Sequence, residues 1–186
     1  MTDHDEVDMV VLVDAAGGPV GTAPRRSVHG VDTPRHLAFS VHLLAADGRV
    51  LVTRRALTKR TWPGVWTNAF CGHPRPGEDI LDAVRRRAMA ELGARVSDLQ
   101  MVLPDFSYSA RDDSGIVENE LCPVLVARLD GTLADLTPDP DEVVAWRVVD
   151  ASTLSDVAHR ASWAISPWAA RQLEHPALRA AIGLGP

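Results

Sequence analysis

Apolar residues in this chain mostly alternate with polar ones or cluster in short runs; helical spacing appears in few places. "VDMVVLVD" (7–14) is a β-rich run that stops at the Gly-Pro turn "AAGGPVG". "HLAFSVHLLAADGRVLVTRRA" (36–56) reads as a hairpin, two apolar strands around the strong turn signal Asp47-Gly48. "GVWTNAF" (64–70) is a further strand. From Asp79 the period changes. Ile80, Leu81, Val84, Ala88 and Leu92 share one helical face, and Gly93 follows as a C-cap. "MVLPDFSYSA" (101–110) is extended, with Pro104 marking an edge or bulge. "IVENELCPVLVARL" (116–129) reads as one long strand closed by Asp130-Gly131, and "EVVAWRVV" (142–149) as another. "STLSDVAHR" is helical, and Ser166-Pro167 opens a last helix with serine as N-cap and proline at the first helical position.

Strands, helix, strands, helices in that order predict an α+β fold, a mixed β-sheet sandwich flanked by helices, rather than strict βαβ alternation. No stretch has linker character, so residues 1–186 are expected to form one domain, with 1–6 a flexible tail. Composition agrees: 46% of the chain is apolar, enough for a core. Net charge is −6, which argues against nucleic-acid and membrane-surface partners. Yet the cations are knotted, at Arg54-Arg55, Lys59-Arg60 and Arg85-Arg86-Arg87, a pattern suited to a small anion. Cys71 and Cys122 are the only cysteines and read as reduced thiols. With no apolar leader and no run near the ~20 residues of a membrane span, a cytoplasmic protein is expected.

Three stretches carry chemistry. In "VENE", strand alternation puts Glu118 and Glu120 on one face, about 7 Å apart. That face is either solvated or built around a cation. Of seven histidines, His73 stands out, between glycine and proline at a strand exit. Imidazoles with carboxylates suit Zn²⁺, Mn²⁺ or Fe²⁺ better than Ca²⁺, although spacing alone does not pick His29 and His36 as partners. In "NAFCGHPRPGE", Cys71 shares a turn with His73, a setting expected to lower the thiol's pKa, whereas Cys122 in "ELCPVLV" reads as a small hydrophobe. Finally Gly72, Glu78, Arg86, Glu91 and Gly93 fall on the Nudix box, but two of its helix glutamates are Arg87 and Ala90. Multi-metal diphosphate hydrolysis is therefore poorly supported.

"LAFS", "LVTRRALTKRTWPGVWTN", "CGHP", "SGIVENELCPV" and "SPW" together resemble the type I isopentenyl-diphosphate Δ-isomerases, from about residue 7 to 173. The resemblance implies a Nudix-like α+β fold and interconversion of isopentenyl and dimethylallyl diphosphate in isoprenoid synthesis. It implies a Mn²⁺ or Zn²⁺ site of His29, His36, His73, Glu118 and Glu120. It makes Cys71 and Glu120 the proton-handling groups. Tyr108 would bond Glu120 or the substrate end, and Trp168 would face the reacting carbons. Glu91 and the Cys71 main-chain carbonyl would hold a Mg²⁺ that bridges the diphosphate. Arg55, Lys59 and Arg87 would grip the phosphates with Arg25, which stands where the family often has lysine. A lid carrying Trp163 and Trp168 would exclude water, and the chain would act as a monomer on a small prenyl diphosphate. The alternatives are a Nudix diphosphate hydrolase, a non-catalytic diphosphate-binding module, and an isomerase of a modified prenyl diphosphate.

Overall fold

The computed structural model describes residues 9–185. The tail expected over 1–6 lies outside them. In chain order the elements are β1 (Met9–Val13), β2 (Pro19–Pro24), α1 (Arg25–Val28), β3 (His36–Leu37), β4 (Phe39–Leu44) and β5 (Val50–Arg55). Then come β6 (Trp66–Thr67), β7 (Phe70–Gly72), α2 (Ile80–Leu92), β8 (Arg95–Leu103), β9 (Ser107–Arg111) and β10 (Val117–Leu121). The chain continues with β11 (Val124–Asp130), β12 (Val143–Val149), α3 (Ala151–Arg160), α4 (Pro167–Gln172) and α5 (Pro176–Ala181). One sheet has the order β2-β1-β3-β10-β9; the other is β12-β5-β4-β11-β8, with β6 on β5 and β7 on β4.

Helix α2 starts and stops where its caps dictate. The Asp79 carboxylate accepts from the Leu81 and Asp82 amides, and Gly93 takes the left-handed conformation at φ 62°. Ser166 likewise caps α4, although α4 is followed by α5 and is not the last helix.

Three strand expectations are corrected. The first is that 101–110, read as extended with an edge or bulge at Pro104, turns there between β8 and β9 of different sheets. Residues 116–129 form two strands, because Pro123 lacks the amide needed to continue the ladder. β10 belongs to the first sheet and β11 to the second. β3 and β4 change sheets beside them: β3 runs parallel to β10 and β4 parallel to β11, with Ala38 N–H donating to Leu121 O (2.8 Å) and Ser40 N–H to Pro123 O (3.0 Å). Residues 64–70 also divide, β6 pairing with β5 and β7 with β4.

All of β4 is buried. Phe39, Val41 and Leu43 pack with Ala83, Val84, Ala88 and Leu92 of α2. Leu44 belongs to the other cluster, with Val50, Val52, Trp168, Leu173 and Leu178. Each such large side chain contributes about 2 kcal/mol of burial energy. One polar pair sits among them: His42 Nε2–H donates to Gln172 Oε1 at 2.9 Å, tying β4 to α4.

Burial lowers the pKa of His42 from 6.5 to about 4, against the opposing bond to Gln172. Unfolding returns it to its ordinary value. The stability that comes from keeping it neutral is therefore whole above pH 6.5 and is lost as pH falls toward 4, roughly 3 kcal/mol in all. Chemical unfolding at pH 7.5 and 4.5 is expected to show a smaller pH effect in His42→Gln than in the natural chain.

Candidate active site

A cleft of about 700 Å³ opens where the strands change sheets. Its walls come from β5 and the loop after it, from β7, α2, β9, β10 and the start of α4. Every residue that the resemblance makes a metal, proton-handling or phosphate group lines it except His36, which is fully buried behind; Cys122 and Trp163 do not.

Register builds the imidazole–carboxylate cluster. Glu120 on β10 lies opposite His36 on β3 and opposite Tyr108 on β9. His29 follows α1, where Val117 N–H donates to Gly30 O at 2.7 Å and holds that turn against β10. His73 follows β7. The three rings lie 5.0 Å (His29–His36), 5.8 Å (His29–His73) and 5.0 Å (His36–His73) apart, centroid to centroid. One donor atom from each of His29, His36, His73 and Glu120 lies within 4.8 Å of all the others.

The donor set fits a divalent metal. Nε2 of His29 and of His36 are buried with no hydrogen-bond partner. Such atoms are rarely left without purpose. His36 Nδ1–H donates to the Pro34 carbonyl (2.9 Å), which turns Nε2 toward Glu120 Oε1 at 3.6 Å. Against burial, Glu120 favours a proton on that nitrogen, the atom a metal would take in the proton's place. Burial and the other two imidazoles drive the His29 pKa down to about 3, so that ring is neutral. For Glu120, burial opposes ionisation, but His36 and His73 outweigh it and hold the carboxyl well below its usual range.

Glu118 is placed differently from Glu120. It too is buried, which excludes a solvated face for the pair. Its oxygens are taken by Thr61 Oγ1–H (2.7 Å) and Tyr108 O–H (2.7 Å). Tyr108 thus bonds Glu118 rather than Glu120, and Glu118 stands outside the four-donor group. Burial, and next the neighbouring Glu120 charge, raise its pKa.

Cys71 corrects an expectation. Burial pushes its thiol up to about 12, against the hydrogen bonds of Ser40 and Asn68. The turn with His73 does not produce a thiolate; it holds a protonated thiol. Ser40 Oγ lies 3.2 Å from Cys71 Sγ and 3.4 Å from Cys122 Sγ, and Asn68 Nδ2 lies 3.4 Å from Cys71 Sγ. Asn68 in turn accepts from Trp168 Nε1–H (3.0 Å), so thiol and indole share one support. Cys122 is 1% exposed and does not line the cleft. Cys122→Ser is expected to lower stability by about 1–2 kcal/mol, read from the unfolding midpoint, with turnover kept.

Trp168 is held between Tyr108 (5.7 Å) and Trp62, which meets it edge-on at 5.4 Å from a left-handed backbone at φ 43°. Such strain in a non-glycine residue persists where the surroundings fix it. The Arg55 guanidinium lies 5.5 Å from the Trp168 ring centroid and donates to Thr61 O at 2.9 Å. Trp163 lies in a separate short turn and is 85% exposed, so it does not cover the cleft. The tryptophan beside Trp168 is Trp62, not Trp163.

Arg25, Arg55, Lys59 and Arg87 all reach the cleft, joined by Arg60 and Arg86 of the basic knots and by Arg26 and Arg75, which the sequence did not single out. Arg86 is committed to Glu78 by two bonds of 2.7 Å, the structural use of those Nudix-box positions. Arg87 Nε–H donates to Glu91 Oε1 (2.9 Å). Sequence reasoning missed Ser40, Asn68, Thr61 and Glu142. Ser40 and Asn68 did leave a signal, as polar residues inside apolar strand-like runs; Thr61 and Glu142 left none.

Residues 34–171 match the NUDIX domain family. The chain is 58% identical over 172 residues to an isopentenyl-diphosphate Delta-isomerase of Frankia alni, covering 92% of this chain and 87% of the relative. It is 49% identical to one of Kocuria rhizophila, covering 98% and 100%. A solved structure from Deinococcus radiodurans superposes with TM-score 0.66 at 18% identity, covering 89% of this chain and 97% of the other, and a MutT protein from Methanosarcina mazei with TM-score 0.55 at 16%, covering 78% and 94%; these two bear on the fold alone. Fold, cleft and sequence agree, and the chain belongs to the isopentenyl-diphosphate Delta-isomerase family of NUDIX-domain proteins.

Proposed function

We propose that this chain interconverts isopentenyl diphosphate and dimethylallyl diphosphate by moving one proton onto and another off the five-carbon unit. The observation that carries the reading is the placing of a thiol and a carboxylate of the imidazole cluster, Cys71 and Glu120, on the wall of one cleft with Trp168. Burial raises the Cys71 thiol and favours its protonated form, while His36 and His73 lower the Glu120 carboxyl and favour its ionised form. Moving a double bond needs one group to give a proton and one to accept, and a buried site tunes each. Asn68 and Ser40 fix the thiol; His36 and His73 fix the carboxylate. The face of Trp168 stabilises positive charge that develops on the carbons, by about 2 kcal/mol when desolvated. Trp168 and Tyr108 are buried and give that end of the cleft an aromatic wall against which the substrate's carbons can exclude water.

His29, His36, His73 and Glu120 would hold Mn²⁺ or Zn²⁺, with Glu118 oriented beside them by Tyr108 and Thr61. A bound divalent ion there fixes the carboxylate and tunes its acidity. Glu91 and the Cys71 carbonyl offer the hard oxygens that Mg²⁺ takes together with phosphate. Arg25, Arg55, Lys59 and Arg87 anchor the diphosphate, which the reaction leaves intact. We further propose a cytoplasmic monomer acting as one domain; sedimentation is expected to show a species of one chain's mass.

The test is incubation of metal-loaded protein with isopentenyl diphosphate in heavy water. Dimethylallyl diphosphate carrying solvent deuterium, without phosphate release, is the expected product. Phosphate release without exchange would establish a hydrolase instead.

A further inference from the structure

Glu142 stands just before β12, with its backbone tied on both sides: Ala56 N–H donates to its carbonyl (2.9 Å) and its own N–H to Asp139 O (3.0 Å). Its carboxylate pairs with Lys59 Nζ through one oxygen and with Arg87 Nη2 through the other, at 3.2 Å. Arg87 also holds Glu91. All four residues line the same cleft, and their side chains are between 9% and 23% exposed. Two cations face two carboxylates, so the group carries no net charge. Burial works to raise the Glu142 pKa, but Lys59 and Arg87 outweigh it, so the carboxylate is ionised. An anion that takes Lys59 and Arg87 has to displace a charge already bound to them.

We infer that Glu142 is a built-in competitor for the substrate's diphosphate. It keeps two largely buried cations paired in the free protein and loosens their grip on the bound ligand. The inference rests on the reading of Lys59 and Arg87 as diphosphate ligands. Its chemical reason is that substrate and product carry the same diphosphate. Tighter holding of that group strengthens both equally, adds nothing to the proton transfers once the chain is positioned, and slows departure of the product. A carboxylate that shares the two cations sets the grip to an intermediate strength.

Calorimetric titration of metal-loaded protein with inorganic pyrophosphate tests this. Glu142→Gln keeps the shape and removes the charge, and is expected to bind pyrophosphate roughly tenfold more tightly than the natural chain, with a lower KM for the isoprenyl substrate. Tighter binding is a gain that structural damage does not produce. Binding that is unchanged or weaker overturns the inference. Should Glu142→Gln not fold, Glu142→Asp draws the charge back by one methylene; a smaller tightening supports the inference, and none overturns it. Lys59→Gln separates the two readings. It is expected to weaken pyrophosphate binding, and undiminished binding there overturns the clamp itself, and the competitor with it.

Discussion

Replacing Cys71 by serine is expected to lower turnover by about 10³-fold or more while leaving metal content unchanged. Removing a positioned proton-transfer group costs about 10²–10⁴ in rate. Serine fits the space, but a hydroxyl gives up its proton far less readily than a thiol. The loss concerns chemistry alone, because the sulfur is not among the four clustered donor atoms. Ser40 and Asn68 remain to hold the new hydroxyl, so the fold is expected to survive, as a thermal melt will show. Steady-state rates with metal analysis of the same sample check both halves. Full activity in the variant would remove the thiol from the reaction.

The second large effect is on the metal. His73→Ala removes one of three imidazoles and the 3.2 Å partner of Glu120. Its side chain is 16% exposed, whereas that of His36 is fully buried, so His73 is the ligand whose loss disturbs the core less. Metal affinity is expected to fall by about 10²-fold or more, and turnover with it at limiting metal. Dialysis against a chelator and readdition of metal should reproduce the loss and the recovery in the natural chain. A variant that keeps its metal content would exclude His73 as a ligand.

What the sequence disclosed, and what it hid, follows from the range of the interactions. Helix α2 was legible to the residue because Asp79 and Gly93 act within one turn of its ends. So was the start of α4 at Ser166-Pro167. The strand break at Pro123 was visible as a proline, yet its consequence was not. Sending β10 and β11 into different sheets depends on β3 and β4, some eighty residues earlier, doing the same. The roles of the site residues came from the resemblance, not from spacing. The resemblance offered Tyr108 Glu120 or the substrate end; its backbone does lie opposite Glu120, but the long side chain reaches diagonally to Glu118. The acidity of Cys71 was misjudged because the neighbouring glycine and histidine were weighed and burial, a tertiary quantity, was not. Glu142 left no local trace, since its partners Lys59 and Arg87 lie 83 and 55 positions away in the chain.

The central claim is that the Cys71 sulfur and the Glu120 carboxylate act from the two sides of a five-carbon chain bound in the cleft. The crystal structure of the metal-loaded protein with an unreactive five-carbon diphosphate tests it most directly. The account predicts Cys71 Sγ against one face of the hydrocarbon and the Glu120 carboxylate against the other, with the ring of Trp168 alongside. Both groups on one face, or a hydrocarbon lying outside the space between them, would contradict it.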